Sequence, residues 1–176
     1  MIYRFRIILD HPGESDIFRD IEIRKTDTFE DFHNAIVQAF GFDGTEMASF
    51  FVSDDHWEQG EEISLFDLGE GQTAFRNMAT TQIQSVVDSK QNKLIYIYDF
   101  LNMWTFLVEL SEILGETDGT DYPKLLFAHG QLPESAPEQE FESDGPFGIN
   151  GYEEHEDEDG YDEDDLENYD TTDDWY

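Results

Sequence analysis

The stretch Lys93-Leu94-Ile95-Tyr96-Ile97-Tyr98-Asp99-Phe100-Leu101-Asn102-Met103-Trp104-Thr105-Phe106-Leu107-Val108-Glu109-Leu110 contains two runs of period two joined by a short link. In the first, Leu94, Tyr96, Tyr98 and Phe100 share one side. In the second, which continues to Ile113, Trp104, Phe106, Val108 and Leu110 do the same. Successive side chains of a strand point to opposite faces, so each run reads as a strand with one apolar face. The other faces carry Ile95 and Ile97, and Thr105 and Leu107, which implies cover on both sides near the middle and a place at the centre of a sheet. Leu101-Asn102-Met103 is short enough for a hairpin turn, with Asn102 the residue most tolerant of positive φ.

Working back to the N-terminus, Tyr3, Phe5, Ile7 and Leu9 alternate with Arg4 and Arg6, predicting a strand over 2–9 with one buried face. Asp10-His11-Pro12-Gly13-Glu14-Ser15 is turn chemistry. A second run follows, with Ile17, Ile21 and Ile23 on one side and Asp20, Glu22 and Arg24 on the other, interrupted by Phe18 and Arg19; hairpin pairing with the first strand is expected. Phe29, Phe32, Ile36, Val37 and Phe40 then fall at helical spacing. Asp27 or Thr28 is placed to cap this helix, Glu30 and Asp31 suit the positive end of its dipole, and Gly41 supplies a left-handed stop. Ala48–Val52 and Glu62–Leu68 read as short strands or irregular core segments around the acidic turn at 54–60. Thr80–Val87 is ambiguous: Ile83, Val86 and Val87 suit a short helix capped by Thr80, but the period does not settle it. After Gly115 the chain turns polar, with a last apolar patch at Leu125-Leu126-Phe127. The expectation is an α+β fold: one domain over 1–133 opening β-β-α, a mixed or antiparallel sheet with a C-terminal β-hairpin, and an acidic, disordered tail over 134–176.

Charge is the other strong signal. The chain has 176 residues, nine Lys and Arg against 43 Asp and Glu, and a net charge of −34. Residues 134–176 alone hold 19 acidic and no basic residues. That segment is rich in Asp, Glu and Gly with spaced aromatics and almost no aliphatics, so it buries too little apolar surface to offset its backbone entropy. A surface of this sign repels nucleic-acid phosphates and anionic membrane leaflets, which excludes direct nucleic-acid and membrane binding and leaves a basic protein as the expected partner of the tail. The absence of cysteine removes disulfides, thiolate nucleophiles and Cys-type zinc sites. No signal peptide or 20-residue apolar run is present, so a cytoplasmic protein is expected. Five cations, Arg4, Arg6, Arg19, Arg24 and Lys25, are the places onto which the tail could fold back.

The order of several segments resembles a known family. Thr28-Phe29-Glu30-Asp31-Phe32-His33-Asn34-Ala35-Ile36 runs into Ala39-Phe40-Gly41-Phe42-Asp43. Tyr98-Asp99-Phe100 follows, with Trp104 five residues after Asp99, and then Leu110-Ser111-Glu112-Ile113. As a set over roughly residues 1–135 these are similar to the plasmid Ri ORF-three-like family, mostly uncharacterised. The resemblance implies an α+β fold opening β-β-α, and some members carry an insertion-element passenger or resolvase-like label. Two departures mark this chain: Leu101-Asn102-Met103 stands where the family commonly has Gly-Asp-Asn before the tryptophan, and Leu132-Pro133-Glu134 only echoes a Pro-Pro-Glu-Asp-Gly-Gly stretch.

No catalytic or cofactor motif stands out, and no cofactor is expected. Recombinase chemistry needs a nucleophile in an arginine-rich pocket, which five arginines in so acidic a chain do not promise. His33, beside the apolar face of the helix, reads either as a base or ligand or, more commonly, as a core histidine satisfied by a neighbour. Asp54, Asp55 and His56, with Glu58, are the metal candidates, though adjacent acids in a turn are usually a solvated loop. Asp99 at a strand end more often caps a turn than moves protons. Aligning Gly160 with the glycine of an EF-hand loop puts His155 and Leu166 at the two end-ligand positions, where both fail. The expected function is a non-enzymatic binding module whose acidic tail engages basic partners; the alternatives are a small-molecule enzyme with His33, His56 and Asp99 converging on one site, or, as the resemblance implies, a mobile-element accessory protein. A further reading gives the tail a purely solubilising role.

Overall fold

The computed structural model describes residues 1–66 and 76–138. The expected disorder of the tail beyond Glu138, the EF-hand comparison and the end of the 62–68 segment lie outside the described residues. Among these residues eight strands and one α-helix follow in the order Ile2–Leu9 (β1), Phe18–Arg24 (β2), Phe29–Phe40 (α1), Ala48–Ser53 (β3), Gln59–Ser64 (β4), Arg76–Asn77 (β5), Lys93–Tyr98 (β6), Trp104–Leu114 (β7) and Lys124–His129 (β8). The strands form one mixed sheet in the order β5-β4-β3-β6-β7-β1-β2-β8. Among the described residues β4 and β5 pair in parallel and the other neighbours are antiparallel. The α+β class, the β-β-α opening and the central place of β6 and β7 follow the sequence pattern.

The helix begins where the sequence provides a reciprocal cap. Thr28 Oγ1 accepts from the Asp31 N–H, and the Asp31 carboxylate accepts from the Thr28 N–H at 2.9 Å. It ends at Gly41, whose φ of +80° lets its N–H return to the Val37 carbonyl. Its apolar stripe lies on one face of the sheet: Phe32 packs against Phe5 and Phe50 with ring centroids 4.6 and 5.3 Å apart, and Phe40 against Phe106 at 4.6 Å. These fully or nearly fully buried rings each contribute roughly 2–3 kcal/mol of transfer free energy.

The opposite face is organised by charge. Arg4 bridges Glu22 on β2 and Glu112 on β7, and Arg6 meets Asp20 with two parallel hydrogen bonds of 2.8 and 2.9 Å. A one-residue slip of β1 would turn both guanidinium groups into the aromatic core, so the same residues that decorate this face also specify the register. Ile95 and Ile97 on this face are 4% and 2% exposed, as central strands require.

Several local expectations are corrected. Arg19 does not break the pattern of β2; it takes a core-side position, 8% exposed, and donates to the carbonyls of Ala39, Phe18 and His129. α1 has no basic residue in its own last turn, and Arg19 supplies the cation there from β2. In the β6–β7 turn positive φ falls on Asp99 (61°) and Met103 (57°), not on Asn102, because β6 ends at Tyr98 and Asp99 itself makes the bend. Phe100 therefore leaves the strand face and is 39% exposed. Thr80 caps nothing: the short helix is a 3₁₀ turn at Ile83–Ser85 preceded by Gln82, without a side-chain cap. β4 starts at Gln59, inside the expected turn. The apolar patch at 125–127 is the middle of an added strand, β8, so the β6–β7 hairpin is not the last sheet element; the chain crosses from β7 to the far edge and pairs with β2. Leu132 and Ala136 pack against the core beyond it.

Candidate functional site

His33 points into the core from α1 and is 3% exposed. Its Nδ1 lies 2.7 Å from the Tyr96 hydroxyl on β6. Burial pushes the imidazole down to about 4 and holds the Tyr96 phenol protonated, its pKa well above the ordinary value. Tyr96 has no other hydrogen-bond partner among the described residues, so its O–H donates to the lone pair of Nδ1 and the proton of the neutral ring sits on Nε2. This is a buried polar couple that orients α1 on the sheet.

Asp54, Asp55 and His56 occupy the β3–β4 turn. The Asp54 carboxylate accepts from the backbone N–H groups of His56 at 2.8 Å and Glu58 at 3.1 Å, which lowers its pKa. Asp55 pairs with Lys93 at 3.2 Å. These groups serve the turn, including the bend at Trp57 (φ 61°), and among the described residues no three His, Asp or Glu side chains gather around a common point. Asp99 behaves likewise: its carboxylate accepts from the Leu101 N–H at 3.1 Å and the Asn102 side-chain amide at 2.6 Å. The Asp55–Lys93 pair fixes the His56 turn at the start of β6, whereas Asp99 follows its end, about 20 Å away at strand rise. His33, His56 and Asp99 thus lie in the core and at opposite ends of a strand.

The cations are equally committed. Arg24 pairs with Glu116 at 2.8 Å, Arg76 with Glu61 at 3.0 Å, and Lys93 with both Asp55 and Glu109. With Arg4 and Arg6 bound to carboxylates and Arg19 to carbonyls, every arginine already has partners within the described residues. A phosphate-binding pocket has no guanidinium left to line it, and four of the five cations proposed as a landing place for the tail are already paired.

Among the described residues the longest open edge is that of β8. β8 ends the sheet, and all six of its residues are exposed. Leu125, Leu126 and Phe127 are 47%, 42% and 51% exposed, three large apolar side chains in succession. Beside them, between β8 and the outer face of α1, runs a cleft of about 360 Å³ floored by Ile21, Ala35, Ala39 and Leu125 and rimmed by Asn34 and Gln38. The sequence marked the 125–127 patch but not Asn34 or Gln38. Their signal was only a polar helix face, which acquires a partner because β8 returns beside α1.

A family model described as plasmid pRiA4b ORF-3-like protein matches residues 1–176. Among solved structures the chain is similar to a protein of unknown function from Methanosarcina mazei Go1, with a TM-score of 0.65 and 21% identity, covering 76% of this chain and 72% of that one. At that identity the likeness shows the fold. No curated protein matches. No helix among the described residues is long and apolar enough to cross a membrane.

Proposed function

The chain belongs to the plasmid pRiA4b ORF-3-like family, and for this member we propose a non-enzymatic interaction module whose acidic C-terminal segment engages basic proteins. The observation that carries this reading is the charge distribution: residues 134–176 hold 19 acidic and no basic residues. Interleaved tyrosines and tryptophan suit the same role, since the charges steer association over a Debye length of about 8 Å at physiological salt and the aromatics anchor it. The commitment of the arginines to internal partners speaks against recombinase chemistry and direct nucleic-acid binding. The scatter of His33, His56 and Asp99 speaks against the one catalytic constellation the sequence offered.

The test compares capture from a cell lysate by the full chain and by a chain ending at residue 138, which keeps every described residue packed on the core. Basic proteins recovered only by the full chain, and lost on raising salt, support the reading. Equal recoveries from both chains would reject a role for the tail in binding.

A further inference from the structure

We propose that the outer edge of β8, unpaired among the described residues, with the cleft beside α1, accepts an extended basic segment of a partner protein as a ninth strand. The inference rests on the interaction-module reading and assigns it a surface in the folded domain and a partner chemistry. A terminal strand presents a row of unpaired N–H and C=O groups, and an added strand satisfies them while placing alternate side chains in pockets. The two ends of this sheet differ. β5, at one end, is two residues long, whereas β8 has six, with Leu125, Leu126 and Phe127 all exposed.

The cleft gives the added strand a place for its helix-side residues. Ile21, Ala35, Ala39 and Leu125 give the cleft an apolar part, beside polar and charged groups that include Asp31 and Lys124, so it suits a segment that alternates aliphatic and polar side chains. On the other face Phe127 stacks near Phe18, 5.8 Å between centroids, and extends the apolar surface outward.

Charge identifies the occupant. Asp118 and Asp121 precede β8, Glu134 follows it, the Asp16 backbone lies against Gly130 at its end, and Asp31 lines the cleft. Against them stand Lys124 of β8, which also lines the cleft, Arg19, held on the His129 carbonyl, and Arg24, paired with Glu116 over the Tyr122 ring. A strand with an apolar centre and Lys or Arg at its ends is drawn to a chain of net charge −34 and to the Asp31 carboxylate in the cleft. A second copy of the chain brings another −34 and is repelled. The pairing irregularity between Asp20 and Ile21, with Pro123 and Lys124 at the entrance, guards the edge against indiscriminate strands.

The test uses the full-length protein and a ten-residue peptide of alternating valine and threonine with two lysines at each end. Binding is read by fluorescence anisotropy, and amide hydrogen exchange of 124–129 is followed alongside. The expected result is saturable binding with slowed exchange at β8, weakened by about tenfold or more in Leu125→Asp and in Phe127→Asp. Both sites are exposed, so both variants retain the fold, checked by circular dichroism. A control peptide with proline at its centre keeps the charge and loses the strand. If it binds as tightly, attraction is purely electrostatic and the edge proposal falls while the tail reading stands. Peptide binding that survives neutralisation of acids in 153–165, in a protein that captures no basic partner through its tail, supports the edge and rejects the tail reading. Sedimentation showing a dimer that Leu126→Asp dissociates would overturn the proposal in favour of a second copy.

Discussion

Acid should weaken this protein through one buried ring. The His33 imidazole is held neutral, its pKa pushed down to about 4, whereas in the unfolded chain it titrates near 6.5. Between those values the unfolded chain binds a proton that the folded chain refuses, so stability falls as pH falls. The contribution is fully present above about pH 7, declines by about 2 kcal/mol between pH 7.5 and pH 5, and approaches a loss of roughly 3 kcal/mol near pH 4. Carboxylates titrate over part of the same range, and protonating them relieves self-repulsion, so the bare pH profile mixes opposite signs. The reference that isolates the ring is His33→Leu with Tyr96→Phe. Removing both partners leaves no orphaned hydroxyl and keeps every other titrating group. Urea unfolding followed by tryptophan fluorescence, at pH values from 7.5 to 5.0 and so above the pI of about 4.1, gives the difference in stability between wild type and double variant. That difference should shift against the wild type by about 2 kcal/mol over the interval, or about 1 M in urea midpoint. Parallel pH profiles would refute the assignment of His33 as a neutral core residue.

Arg19→Met should cost about 2–3 kcal/mol in urea unfolding, because the carbonyls of Ala39, Phe18 and His129 lose a charged donor together. Asp99→Ala should destabilise by about 1–3 kcal/mol through loss of the turn hydrogen bonds and strain at φ 61°, while Asp99→Asn, which tolerates that φ, should recover part of it. Tyr98→Phe should cost about 1 kcal/mol, since its hydroxyl donates to Asp43 at 2.9 Å and accepts from the Gly44 N–H at 3.1 Å. Raising NaCl from low to about 0.5 M should raise the thermal midpoint of the full chain, because screening the repulsion of a −34 chain outweighs weakening its mostly exposed ion pairs; a fall would show the pairs to dominate.

Legibility in the sequence tracked the range of the forces involved. β1 and α1 could be read because their burial pattern and caps are local: Thr28 meets Asp31 three residues on, and Gly41 answers Val37 within one turn. β6 and β7 could be read because both faces of each are covered in their middles. β8 could not, since an edge strand exposed on both faces has no alternation, and its existence rests on pairing with β2, more than 100 residues earlier. Arg19 looked like an error in a strand for a similar reason: the carbonyl ends it satisfies belong to α1 and β8. For His33 the commoner reading matched the structure, but its partner Tyr96 lies 63 residues away and nothing local names it. The Asp99 turn was read as a cap, yet the bend fell on the aspartate, which tolerates positive φ almost as well as the asparagine beside it.

The seam between β1 and β7, running from Ile2 against Leu114 to Leu9 against Phe106, joins the first strand of the chain to one of the last. During synthesis about 95 residues separate their nearer ends, an interval of roughly 5–20 s at ordinary elongation rates. The β1–β2 hairpin and α1 emerge early, and the flank of β1 then waits for its neighbour. Arg4 and Arg6 stand along that waiting flank, already answered across the hairpin by Glu22 and Asp20. A charged border of this kind keeps one nascent chain from zipping onto another on the same polysome, so the residues that set the register of the finished sheet also protect it while it is being made.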